Sequence, residues 1–288
     1  MRLFGRDVQL ETNDERLGTD ATRAKGRRGR FATMGELLPI LCDPVTKAPL
    51  ALQRQGLGGG ERVYLMPHGN PALFPTDMDV LVQRLHDPDF LRRFPTLSPV
   101  EQYCVFGLLK ASGDNNNLDH TDAWYERHIF RATKLLKDAR GRVLDIGCDD
   151  AFLSRGMHHD AVQYIGLEPS TGPSDALRVA GLGEFLPFCN ESFDGVSFQT
   201  SLDHMLDYQL ALSEAWRVLK PGGRLYLATL LWTDRAQLFT DTVHFHHFRP
   251  KQLEVALEGF QVESLDCYGW KGDIHRFGVY LRALKAVP

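Results

Sequence analysis

No stretch of this 288-residue chain is apolar over the roughly 20 residues that a helix needs to cross a bilayer, which excludes a helical membrane span. The first residues, Met1 to Asp7, carry no apolar core of the secretory kind. Cysteine is sparse and unpaired. Cys42, Cys104, Cys148, Cys189 and Cys267 form no Cys-x-x-Cys pair, and an odd, dispersed set points to reduced thiols in a cytoplasm rather than a disulfide frame. Charge of one sign is also lacking. Lys and Arg number 33 against 37 Asp and Glu, a net charge of −4, so there is no global pull toward nucleic acid or membranes. The Gly-x-Gly-x-x-Gly turn that seats a dinucleotide pyrophosphate is absent as well. What remains is an ordinary globular composition, long enough for one large domain and one small one.

Four segments are legible. Residues 1–32 are polar and aperiodic, with Arg23, Lys25, Arg27, Arg28 and Arg30 among glycine and alanine, and are expected to form a flexible basic tail. Residues 33–97 contain short apolar runs separated by turn residues (Gly56 to Gly60, and Pro67-His68-Gly69-Asn70-Pro71) and suit a small α+β module. Residues 98–139 are expected to be helical. Trp124, His128, Ile129, Ala132, Leu135 and Leu136 recur at helical spacing behind Asp122, and the segment is either a lid over the site or a connecting helix pair.

From 140 to 288 strand and helix alternate. Strands are predicted at 142–146, 163–167, 194–198, 223–230, 260–266 and 276–284, and helices at 151–159, 207–219 and 250–258. Lys220-Pro221-Gly222-Gly223 stops the middle helix with a cation, a proline and glycines. The alternation predicts an α/β, Rossmann-like doubly wound sheet, mainly parallel. The short link from 266 to 276 makes the last strand antiparallel.

Two of the strands end in carboxylates. Val143-Leu144-Asp145-Ile146-Gly147-Cys148 runs into a glycine loop, and Ile165-Gly166-Leu167-Glu168-Pro169 follows about twenty residues later. Behind them come Gly183-Glu184-Phe185-Leu186-Pro187-Phe188, Glu191-Ser192-Phe193-Asp194-Gly195-Val196, Ser201-Leu202-Asp203-His204-Met205, Glu214 to Leu225, and Phe248-Arg249-Pro250-Lys251-Gln252-Leu253. In this order the motifs resemble the class I S-adenosylmethionine-dependent methyltransferases, specifically the methyltransferase type 11 group, over residues 142–285. The 33–97 module resembles the Trm112-like small domain. In it Asp43 and Thr46 stand where that family carries cysteines, so a zinc site, which needs about four N or S ligands, is not expected, and the module reads as a cap or homodimer surface.

The resemblance implies S-adenosyl-L-methionine as cofactor. Gly147 would let its methionine part lie against the backbone, with Cys148 and Asp149 in the same loop, and Asp145 would accept from its ammonium directly or through water. Glu168, beside Pro169, would accept both ribose hydroxyls; Gly183, Glu184 and Phe185 would border the adenine. Asp149 and Ala151 occupy the second and third glycine positions of the family pattern, and Leu182 replaces its usual aspartate. The short link from Glu168 to Gly183 predicts an abbreviated third strand and helix.

Methyl transfer needs alignment, exclusion of water and removal of one proton. His204 and His246 are the candidate bases. Tyr125, Asp203, His244, His247 and Trp232 are candidate pocket residues, and alternation in an extended 244–248 segment would put His244 and His246 on one face. No metal is expected. The implied activity is methylation of a small-molecule hydroxyl, on a sugar-linked or secondary metabolite, with no membrane and no nucleic-acid partner. The alternatives are an RNA or translation-factor methyltransferase, suggested by the Trm112-like module and the basic tail, and a non-catalytic cofactor-binding or assembly protein.

Overall fold

The computed structural model describes residues 2–8, 30–59, 62–85, 89, 97–113, 123–149, 155–172, 177–233, 244–270 and 273–286. In chain order its elements are β1 (Arg2–Leu3), β2 (Arg6–Asp7), β3 (Arg30–Phe31), α1 (Met34–Leu37), β4 (Ala51–Gln53), β5 (Gly56–Gly59), β6 (Arg62–Tyr64), α2 (Met78–Leu85), α3 (Pro99–Gly113) and α4 (Ala123–Leu136). There follow β7 (Gly141–Ile146), β8 (Val162–Glu168), β9 (Arg178–Ala180), β10 (Phe193–Gln199), α5 (Tyr208–Val218), β11 (Leu219–Trp232), α6 (Pro250–Ala256), β12 (Phe260–Trp270) and β13 (Asp273–Lys285). No helix among the described residues is long and apolar enough to cross a membrane.

The large sheet runs β12-β13-β11-β10-β7-β8, and the outer edge of β8 is shared. β3 pairs with its first half and β9 with its last three residues. All pairs are parallel except β11–β13 and β12–β13, so β13 is the antiparallel strand predicted near the chain's end. Strand order reverses between β7 and β10. In sheets of this kind the C-terminal ends of the strands at such a switch point border a crevice, the usual ligand position. Alternation along β7 divides the core. Val143 faces one side with Tyr164, Tyr226 and Tyr280, against Ala132, Leu135 and Leu136 of α4; Leu144 and Ile146 face the other, with Ile165, Phe198 and Leu227, against Ala211, Leu212 and Ala215 of α5.

Local chemistry starts the helices. Ser98 and Glu101 cap each other reciprocally at the head of α3, with Pro99 in the first helical position. Asp207 caps α5 by accepting the N–H groups of Gln209 and Leu210 at 3.1 and 3.0 Å. The helix predicted at 151–159 is not there over its described part, which holds a single 3-10 turn, Arg155–Met157; residues 151–154 lie outside the described residues. Gly156 explains the tight crossing, since a Cβ there would lie 2.8 Å from the backbone of Thr133 in α4. The third strand is abbreviated as expected, to three residues.

The N-terminal segments are built into this domain. The expected tail is anchored at both of its described ends: β1 and β2 form a hairpin that buries Leu3 fully and gives the Phe4 N–H to Glu254 of α6, and β3 joins the sheet. Residues 9–29 lie outside the described residues. The small module, with its antiparallel β4-β5-β6 sheet, is stitched on by backbone pairing. Cys42 N–H bonds Pro187 O at 3.0 Å, Cys189 N–H bonds Ile40 O at 2.8 Å, and the Leu73 and Ala180 N–H groups bond Ala180 O and Pro71 O, each at 2.7 Å. Asp43 holds the module's turn together. Its carboxylate accepts the N–H groups of Val45 and Thr46 and the hydroxyl of Tyr64 at 2.6 Å, so hydrogen bonds close this turn.

Candidate active site

The crevice is shaped by backbone conformations that few residue types tolerate. Gly147 has φ +72, and a Cβ there would meet Ser201 Cβ at 2.5 Å, so the loop after β7 packs directly on the loop after β10. Asp149 has φ +44. Aspartate is among the few residues that enter this left-handed region readily, which accounts for its standing in a glycine position. Its N–H points at the neighbouring strand end and bonds Glu168 Oε2 at 3.1 Å. Across the crevice Thr200 has φ +57, a strained conformation for a β-branched residue, held by its N–H to Ala228 O at 2.8 Å.

Asp145 is completely buried beneath this loop, and Tyr164 of β8 donates its hydroxyl hydrogen to Asp145 Oδ2 at 2.6 Å. Burial puts Asp145 under the loop, where the sequence reading has it accept from the cofactor ammonium. Burial, with Asp145 and Cys148 nearby, raises the Tyr164 phenol and keeps it a donor. Cys148 fills the space left by Gly166, where a Cβ would lie 2.6 Å from its Sγ, and burial pushes its thiol well above the ordinary range. Glu168 ends β8 at the crevice, partly exposed, followed by Pro169.

Glu184 is buried, which raises its carboxyl; its Oε1 accepts the N–H groups of Leu206 and Asp207 at 2.9 and 3.3 Å and so secures the turn leading into α5. Gly183 packs closely on this turn, since a Cβ there would lie 2.5 Å from the Met205 sulfur. Phe185 meets Tyr103 edge to face at 5.3 Å, and Tyr103 also bonds Asp207. Gly107 of α3 lies where a Cβ would be 2.5 Å from Leu182 and 3.8 Å from Pro169. Of the two helices read as lid or connector, α3 thus covers the β8–β9 end of the crevice, while α4 packs on the sheet face. Tyr103 and Gly107 have no individual signal in the sequence.

The histidines separate differently from the simple alternation. His244 packs edge-on to His204 at 4.8 Å between ring centroids, and His247 lies 6.4 Å from His244 and 4.6 Å from Trp232. His246 points elsewhere. Its Nε2 faces Met205 O at 2.8 Å and Leu206 O at 3.3 Å, and since carbonyls only accept, that nitrogen carries the proton. His246 thus ties the 244–248 segment to the loop after β10, packed on Tyr208 and Phe248. The segment is bent rather than extended, which is why His244 joins His247 and not His246. Asp203 is buried under these rings, and its carbonyl accepts the N–H groups of Phe245 and His246 at 3.0 and 3.2 Å. Trp232 is buried at the end of β11; the side chain of Tyr125 lies outside the described residues.

Residues 144–227, the part of the chain that carries β7 to β11, match the family described as "Methyltransferase domain". Among curated proteins the chain is 29% identical over 111 residues to a ubiquinone biosynthesis O-methyltransferase of Hahella chejuensis, covering 34% of this chain and 47% of that protein. It is 35% identical over 95 residues to a demethylmenaquinone methyltransferase of Beutenbergia cavernae, covering 30% and 40%. The chain therefore spans less than half the length of these relatives. Among solved structures it is similar to a 1,6-didemethyltoxoflavin-N1-methyltransferase of Burkholderia thailandensis, with a TM-score of 0.49 and 18% identity over 66% of this chain and 92% of that one. The cofactor indicated for such a domain is S-adenosylmethionine. The residues present fit it: a loop held open at Gly147 and Asp149, and a carboxylate at the adjoining strand end to accept from ribose hydroxyls.

Proposed function

We propose that this protein is an S-adenosylmethionine-dependent methyltransferase that modifies a hydroxyl on a small organic acceptor, of the sugar-linked or secondary-metabolite kind. The name of one curated relative, a ubiquinone biosynthesis O-methyltransferase, favours a ring hydroxyl among these. The observation that carries the reading is the Asp149 N–H to Glu168 contact, which locks the glycine loop against a strand-end carboxylate at the switch point.

When bound, the cofactor supplies a methyl group already activated by its sulfonium. Glu168 holds the ribose, the backbone from Gly147 to Asp149 lines the methionine side, and Phe185 with Tyr103 walls off the adenine. His204, with Asp203 beside it, orients the acceptor hydroxyl and receives its proton, while Trp232 and His247 form the apolar side of the pocket. The module over 33–97 acts as a structural cap, consistent with its backbone pairing to 180 and 187–189.

Calorimetry with S-adenosylmethionine and S-adenosylhomocysteine tests this. Binding of both is expected, with Glu168→Gln weakening each by tenfold or more. Absence of binding defeats the reading. Tight binding without turnover on any panel of phenolic and glycosyl hydroxyls supports instead a non-catalytic protein on the same scaffold.

A further inference from the structure

The loop after β10 and the segment before α6 converge on a group of three side chains, two of which, Asp203 and His204, face the acceptor in the reading above. Asp203, His204 and His244 each offer one ligand atom, and the three atoms lie within 4.8 Å of one another. Two of these residues are neighbours on a 3-10 turn, Leu202–His204; the third arrives from forty residues away. From the geometry we infer that this group is a binding site for a single divalent transition-metal ion of the zinc class, on the acceptor side of the cofactor crevice.

The first argument is the carboxylate. Asp203 is 1% exposed, and its Oδ1 has no hydrogen-bond partner among the described residues. Its Oδ2 lies 3.9 Å from His244 Nε2, too far for a hydrogen bond. A buried carboxylate is costly unless a cation or several donors compensate it. An ion between Asp203 and the two imidazoles supplies that compensation.

The second argument is preorganisation. The Asp203 carbonyl receives the Phe245 and His246 N–H groups, so backbone bonds fix the two chain segments relative to each other. His246 reinforces the junction from the other side through the carbonyls of Met205 and Leu206. Metal ligands with bonds of about 2.0–2.2 Å sit roughly 3–4 Å apart, so side-chain torsions alone close the cluster onto an ion.

The third argument is donor type. Two imidazoles and one carboxylate suit zinc, cobalt or iron(II), whereas magnesium and calcium prefer all-oxygen shells. Three protein ligands leave a coordination position for water or another oxygen, the pattern of reactive rather than structural zinc sites. That open position implies a role, which rests on the methyltransferase reading: with the ion bound, His204 serves as a ligand in place of the base, and an acceptor hydroxyl coordinated at the open position loses its proton to solvent and attacks the methyl group as an alkoxide or phenoxide, with the sulfonium sulfur leaving with its electron pair.

The test uses the full-length protein, treated with chelator, dialysed, and titrated with Co2+ followed by Zn2+. One equivalent of Co2+ is expected to bind with a visible ligand-field spectrum that Zn2+ abolishes. His244→Ala, a partly exposed position, is expected to weaken Co2+ binding by at least tenfold, as is Asp203→Asn, while the exposed-surface control His68→Ala binds like the parent. Absence of stoichiometric binding, or binding that His244→Ala leaves unchanged, overturns the site. Circular dichroism of each variant separates misfolding from ligand loss. Calorimetry with S-adenosylhomocysteine separates the two proposals: cofactor binding without metal defeats only this one, and metal binding without cofactor defeats only the methyltransferase reading.

Discussion

Tyr164 and Asp145 sit on adjacent parallel strands, both buried, and share a 2.6 Å hydrogen bond beneath the glycine loop. The register explains it. Tyr164 pairs with Val143, and Asp145 lies two residues further on the same face, within reach of a tyrosine ring leaning along the strand. The bond spans the two strands whose ends form the cofactor side of the crevice.

Tyr164→Phe removes the donor and leaves a buried carboxylate oxygen short of one partner. A loss of about 1–3 kcal/mol in unfolding free energy is expected from urea denaturation, with weaker S-adenosylhomocysteine binding. A change below about 0.5 kcal/mol, the usual size for an uninvolved site, would show that the bond does not anchor the loop.

Gly147→Ala places a methyl group 2.5 Å from Ser201 Cβ at a φ of +72. Both effects oppose the native loop, and together they cost on the order of 2–3 kcal/mol. Thermal melting measures the loss. Cofactor affinity should fall by more than the stability change alone accounts for, because the contact surface itself shifts.

His128 is buried on the sheet side of α4, with Nδ1 2.5 Å from the Tyr280 hydroxyl. Burial, with Arg131 adding repulsion, lowers its pKa to about 4. Unfolded, it titrates near its ordinary value of about 6.5. Between those values the unfolded chain binds a proton that the folded chain refuses. The stability contributed by the neutral ring is therefore complete above about pH 6.5 and is lost as pH falls toward 4, roughly 3 kcal/mol in total. Denaturation at a series of pH values should show this slope. The double variant His128→Phe, Tyr280→Phe should lose it, and an unchanged slope in that variant would assign it to other groups.

Glu214 of α5 lies between two cations: Lys47 Nζ, from the small module, at 2.6 Å from Oε2, and Arg217 Nε at 2.6 Å from Oε1. The pair of cations lowers the Glu214 carboxyl against the opposing effect of burial. Glu214→Ala leaves both with only neutral acceptors, Leu186 O for each among them, and since Lys47 is also partly exposed, about 2–3 kcal/mol is expected rather than the full cost of a buried pair. Lys47→Met, which leaves the Glu214–Arg217 pair whole, should cost less. Equal effects would mean that the bridge between the module and α5 is the dominant contact.

The thiols give a direct probe of burial. Cys42, Cys104 and Cys267 are pushed up to about 12 by burial, and Cys148 is raised as well. Only Cys189 is partly exposed. A disulfide exchange reagent should therefore titrate one thiol quickly in the native protein and five after unfolding. Rapid reaction of a second thiol, identified as Cys42 by peptide mapping, would show that the module over 33–97 opens in solution.

Much of the sheet was legible because its signals are local. The runs at 143–146 and 164–167 are buried on both faces, the Lys-Pro-Gly-Gly stop ends α5, and the short 266–276 link forces an antiparallel turn. The helix expected at 151–159 is reduced over its described residues to one 3-10 turn, whose Gly156 packs closely on Thr133 of α4. The anchoring of residues 2–8 was hidden because it depends on partners some 250 residues away, such as Glu254 and Glu263.

The sequence alone determined the strand ends, the carboxylates at 145 and 168, the glycine at 147 and the order of the motifs, since these follow from periodicity and backbone preference within a few residues. Only the tertiary structure decided what each group touches. It gave Asp145 to Tyr164, committed His246 to two backbone carbonyls, and brought His244 to Asp203 and His204. Those pairings depend on strand register and on a bend at 245, and neither is encoded in the spacing of any one segment.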